Sequence, residues 1–116
     1  MNDCIQQFLG APGTKEALEW LRAGSETDFR SIGEMETNEE SIELVELIYS
    51  AGAIQVLAVE IDEFPEGQNT DQLVVQLPSN AAQRQRLFEW AGTIAEQQGF
   101  DREVDTGQQH IFLILD

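Results

Sequence analysis

Residues 53–77 read AIQVLAVEIDEFPEGQNTDQLVVQL. Two runs rich in β-branched residues, 54–62 and 73–77, enclose an acidic segment, which predicts two strands joined by a loop. In the first run Leu57, Val59 and Ile61 alternate with Ile54, Val56, Ala58 and Glu60. In the second, Leu73, Val75 and Leu77 alternate with Val74 and Gln76. Phe64-Pro65-Glu66-Gly67 suits a type I turn, with Pro at its second position and Gly at its fourth.

The flanks supply helices. Upstream, Thr37-Asn38-Glu39-Glu40 forms a capping box, in which the Thr37 hydroxyl accepts from the residue 40 amide and Glu40 reaches back. The helix it opens carries Leu44, Leu47, Ile48 and Ala51 on one expected face and ends at Gly52. Residues 29–36 alternate well enough to predict a strand before it. Earlier still, Thr14 is an expected N-cap for a short helix carrying Ala17, Leu18, Trp20 and Leu21. Downstream, Asn80 caps a helix over 81–98 with Leu87, Ala91, Ile94 and Ala95 on one stripe. Gly99 and Phe100 fit a Schellman ending. The apolar run HIFLIL at 110–115 predicts a last strand.

From residue 29 onward the order is strand, helix, strand, strand, helix, strand. In element order this resembles the ferredoxin-like split β-α-β arrangement. The resemblance implies a four-stranded antiparallel sheet with two helices on one face. Strands 29–36 and 72–77 would be central, and 54–62 and 110–115 would be edges. The expected fold is therefore α+β, one domain over 1–116. Its core spans 27–116, and a helical extension of one or two short helices spans 1–26.

That sheet has an unexpected second face. With the odd-numbered sets of the middle strands toward the helices, Ile32, Val56, Ala58, Val74, Phe112 and Ile114 point away. An apolar patch of this kind requires a cover. The Trp20 helix is one candidate cover, and a second copy of the chain is another. A homodimer or another protein partner is the expectation that follows.

Charge narrows the function classes. Six Lys and Arg oppose 22 Asp and Glu, for a formal net charge of −16. No basic residue occurs in 31–83. Nucleic-acid affinity grows by replacing counterions with cationic side chains, so a nucleic-acid partner is not expected. An anionic membrane surface is disfavoured for the same reason. The exposed row Glu39, Glu43 and Glu46 instead suits a basic protein, and an acidic inhibitor or decoy is the alternative reading. No apolar run approaches membrane-spanning length, and residues 1–12 lack the basic and apolar regions of a leader. A lone cysteine, Cys4, excludes an internal disulfide. A cytoplasmic location is expected from these features together.

Catalytic chemistry finds little support, and no catalytic residue is assigned. His110 is the only histidine and has no ligand-spaced neighbour. Neither G-x-S-x-G nor a glycine-rich phosphate loop is present. No cofactor is expected. Asp62, Glu63, Glu66 and Asp71 are candidate carboxylates for a divalent cation. Counted from Asp62, however, an EF-hand loop would need acids where Phe64 and Leu73 stand. A small-ligand or cation-responsive domain is the third reading.

Overall fold

The computed structural model describes residues 14–115. Cys4 lies outside the described residues. In chain order the elements are β1 (Lys15–Glu16), α1 (Ala17–Arg22), β2 (Phe29–Ile32), α2 (Asn38–Ser50), β3 (Gln55–Val59), β4 (Asp62–Phe64), β5 (Gly67–Thr70), β6 (Gln72–Gln76), α3 (Ala81–Gln97) and β7 (His110–Ile114). The α+β expectation holds, with a four-stranded antiparallel sheet and helices packed against it. Among the described residues no helix is long and apolar enough to cross a membrane.

The ferredoxin-like strand order is corrected. The four-stranded sheet runs β1-β3-β6-β7, and β6 pairs directly with β7. Strand β2, expected at the centre of that sheet, belongs to a second, three-stranded sheet ordered β2-β5-β4. There it runs parallel to β5, with Phe29 opposite Gly67 and Ile32 opposite Thr70. The expected strand 29–36 stops at Ile32 because Gly33 turns the chain at φ +59°. The expected strand 54–62 splits for a related reason. Glu60 takes φ +54°, which swings the chain out of one sheet and into the other.

A non-glycine residue in that left-handed region carries a steric cost of about 1–2 kcal/mol. Glu60→Gly is therefore expected to raise stability by about 0.5–1 kcal/mol after the added chain entropy is subtracted. A rise in the urea midpoint at constant m-value is the readout.

Thr70 and Asp71 join the two sheets. The Thr70 hydroxyl, buried, donates to the Val59 carbonyl and accepts from the Gln72 amide at 3.1 Å. The Asp71 carbonyl accepts from Leu115 at 2.7 Å. The small sheet thus continues from the large one rather than floating beside it.

Register decides what the large sheet buries. Val56 lies opposite Val75 and Ala58 opposite Leu73, and paired residues share a face. Val56, Ala58, Leu73, Val75, Ile111 and Leu113 therefore form one core with Val45 and Ile48 of α2 and Leu87 and Phe88 of α3. This corrects the expected orientation of β3, since Val56 and Ala58 face the helices. Leu57 and Val59 face away with Val74, and Phe112 packs against them. Ile32 is also fully buried in the helix-side core.

Residues 14–26 enter the same core through Ala17, Trp20 and Leu21. Trp20 thus packs on the helix side and is not the cover of the opposite face. The expected Thr14 cap is also replaced. Lys15 and Glu16 pair with Ala58 and Leu57, and the Glu16 carboxylate accepts from the Glu19 amide at 2.7 Å. Its second oxygen accepts from the Tyr49 hydroxyl at 2.6 Å, and that hydroxyl accepts from the Val56 amide at 2.9 Å.

The outer edge of β7 is closed by side chains. Glu103 accepts from the Phe112 amide at 3.0 Å, and Gln98 donates to the Ile114 carbonyl at 2.6 Å.

Candidate functional site

Helix α2 opens at Thr37 as the capping box predicts, but Glu40 reaches the Thr37 hydroxyl rather than the Thr37 amide. The Glu40 amide donates to Thr37 Oγ1 at 3.0 Å, and the Thr37 hydroxyl donates to the Glu40 carboxylate at 3.1 Å. Its buried face, however, is Ser41, Val45 and Ile48. Ser41 is drawn inward because its hydroxyl accepts the Ile32 amide at 2.8 Å, closing the end of β2. Turning the helix toward Ser41 carries Leu47 out of the core, and Leu47 is 58% exposed. The expected stripe through Leu44, Leu47, Ile48 and Ala51 is corrected accordingly.

Helix α3 packs beside it. Asn80 accepts from the Gln83 amide at 2.9 Å, and Leu87, Phe88, Ala91 and Gly92 are buried. Trp90 falls on the flank toward α2. Between the two helices runs an open groove of about 330 Å³, lined by Leu47, Ile48, Ser50, Ala51, Arg86 and Trp90. Its walls are chiefly apolar, with one cation at the side. Ile54, just beyond the end of α2, is 57% exposed.

Among the described residues the cations are unequally matched. Arg22 pairs with Glu46 at 2.9 Å, Arg30 with Asp28 at 2.7 Å, Arg84 with Asp105 at 2.5 Å and Arg102 with Glu96 at 2.8 Å. The fork from Arg84 holds the Asp105 carboxyl below its ordinary range. Among the described residues Arg86 makes no ion pair. Glu39 and Glu43 are exposed and likewise make none, so of the expected acidic row only Glu46 is partly neutralised. The Arg22–Glu46 pair is more than half exposed and contributes little to stability.

The other sequence candidates do not converge. Asp62 and Glu63 lie on β4, Glu66 in the turn before β5, and Asp71 between β5 and β6. Among the described residues no three His, Cys, Asp or Glu side chains come together to hold a metal ion. His110 starts β7 opposite Gln76, and burial pushes its imidazole below the ordinary pKa. The candidate partner face is largely internal, because Ile32, Val56, Ala58 and Val74 are fully buried and Phe112 and Ile114 half-buried. Among the described residues the exposed large apolar side chains are Leu47 on α2 and Ile54 just beyond it, Phe29 and Phe64 on the small sheet, and Phe100 and Val104 in the loop between α3 and β7. The helical periodicity alone hides the groove, because it assigns Leu47 to the core face. The serine at position 41, four residues before Val45, was the available signal that the buried face was rotated.

Comparison with family models, with curated proteins and with solved structures returned no match.

Proposed function

We propose that this chain is a non-catalytic protein-interaction module that self-associates through the groove between α2 and α3. The observation that carries the reading is Leu47, 58% exposed on a helix whose neighbour offers Trp90 and Arg86, the latter without an ion pair among the described residues. A second copy supplies both things the groove lacks. Its own Leu47 and Trp90 bury apolar surface, and its acidic helix α2 gives Arg86 a partner. A two-fold contact of this kind is self-complementary by construction. Neither a cofactor nor a metal enters it.

Salt gives the reading a sign. Two subunits of net charge −16 repel each other, and screening removes that repulsion. Sedimentation equilibrium is expected to show a dimer that tightens as salt rises from about 0.05 to about 0.5 M. Leu47→Glu is expected to give a monomer with unchanged circular dichroism. A chain that stays monomeric at about 100 μM at every salt concentration overturns the proposal.

The exposed, unpaired Glu39 and Glu43 favour a second reading, in which a basic protein segment occupies the same surface. Such a complex weakens with added salt, opposite to the dimer. One salt titration therefore separates the two.

A further inference from the structure

The small sheet carries a feature that neither reading uses. Phe29 of β2 and Phe64 of β4 both lie opposite Gly67 of the middle strand β5. The next row on that face is Ser31, Asn69 and Asp62. Two aromatic side chains thus stand on either side of a residue that has none. Two strand spacings separate their backbones, about 9–10 Å. A cation centred between the rings sits within about 6 Å of both, the range of cation–π attraction. The space is an open pocket of about 240 Å³, with Glu66 on its wall. Phe29 is 37% exposed and Phe64 51%.

Charge and rigidity point the same way. Asp62 shares the face with Phe64 through the strand alternation. Arg30, the one cation on these three strands, lies on the opposite face opposite Gln68. It is held there by Asp28 and by the Trp20 carbonyl at 2.9 Å. The platform is braced from both sides. The Asn69 side-chain Nδ2 donates to the Ser31 carbonyl at 3.2 Å, the Ser31 hydroxyl at 3.1 Å and the Gly33 carbonyl at 3.0 Å. Behind it, Trp20 Nε1 donates to Gln68 at 2.9 Å. The β2–β5 part of the slot is therefore preorganised, and its polar lining is acceptor-rich.

We infer that the Phe29–Gly67–Phe64 slot binds an alkylammonium group. Its size and apolar walls suit a methylated ammonium, whose charge is weakly hydrated and spread over methyl groups. The same head group occurs on free choline-type molecules and on methylated lysine side chains.

Titration with choline, followed by the ring resonances of Phe29 and Phe64, tests the inference. The control is 3,3-dimethylbutan-1-ol, the neutral molecule of the same shape. Choline is expected to shift both rings and to bind at least about fivefold more tightly than the neutral molecule. Phe64→Leu keeps an apolar residue on β4 and is expected to weaken choline about fivefold, the size of one exposed cation–π contact. A peptide bearing trimethyl-lysine distinguishes the sources. Tighter binding than choline assigns the group to a protein, and equal or weaker binding assigns it to a free molecule. Equal affinity for choline and its neutral counterpart overturns the inference, as does choline binding that leaves the two rings unshifted. None of these outcomes depends on whether the chain dimerises through Leu47.

Discussion

Replacing Gly67 by valine is expected to cost about 3 kcal/mol or more of stability and to unpair the three-stranded sheet. A Cβ at this position would stand 1.8 Å from the Phe29 carbonyl oxygen and 2.5 Å from the Phe29 nitrogen. Both atoms are backbone, so no side-chain rotation relieves the clash. Strand β2 must move off β5, breaking the Asn69 hydrogen bonds to Ser31 and Gly33. The damage should be local at first. Amides of β4, β5 and the Phe29–Gly33 segment are expected to lose hydrogen-exchange protection while those of β3 and β6 keep theirs. Gly99 provides the contrast, since a Cβ there meets nothing within 4 Å and only its φ of +86° resists substitution. A Gly67→Val protein within about 1 kcal/mol of the parent in urea would mean that the parallel pairing is not what holds this sheet.

Tyr49→Phe is expected to cost about 1–3 kcal/mol at neutral pH, because the Val56 amide loses its acceptor in the buried part of β3. The hydroxyl stands where the short strand β1 does not reach, and it serves as a substitute ladder partner. The pH dependence supplies an independent check. Burial, followed by the hydrogen bond to the Glu16 carboxylate, pushes the Tyr49 phenol up to about 12. An unfolded tyrosine titrates near about 10. Between these values the folded state keeps a proton that the unfolded state has lost. Stability is therefore constant below pH 10 as far as this group is concerned and falls through the window up to about 12. In the phenylalanine variant that fall disappears, so the two urea-midpoint curves converge as pH rises. Parallel curves across the window would place the raised pKa elsewhere.

Much of the local structure was legible because its signals are short-range. Thr37 and Asn80 cap the helices they were expected to cap. The C-terminus of α3 closes as a Schellman motif, with Phe100 donating to the Ala95 carbonyl at 2.8 Å and Gly99 to Glu96 at 3.1 Å. Pro65 and Glu66 form the turn before Gly67. What alternation could not convey was direction. In β3 Val56, Leu57, Ala58 and Val59 are all apolar and all buried, so the pattern has no polar face to orient it. Only the pairing with β6 selects which residues meet the helices. The second sheet was hidden for the opposite reason. Its strands DEF and GQNT hold almost no apolar residues. They form because β2 supplies a long-range partner and Gly67 permits the approach, and neither condition is a property of the segment itself. The candidate groove follows from one local detail, the inward Ser41, whose hydrogen bond to Ile32 is likewise invisible until the strand is in place.

The capped edge of β7 has a consequence for how this chain behaves in a crowded solution. HIFLI is the kind of short apolar segment that recruits copies of itself into cross-β stacks when its open side is free. Here Glu103 occupies the amide of Phe112 and Gln98 the carbonyl of Ile114. An incoming strand would have to displace a carboxylate and an amide before forming its own ladder, and would then sit beside a charge. The acidic loop between α3 and β7 thus acts as a gatekeeper against aggregation, which gives part of the chain's negative charge a protective use that requires no partner.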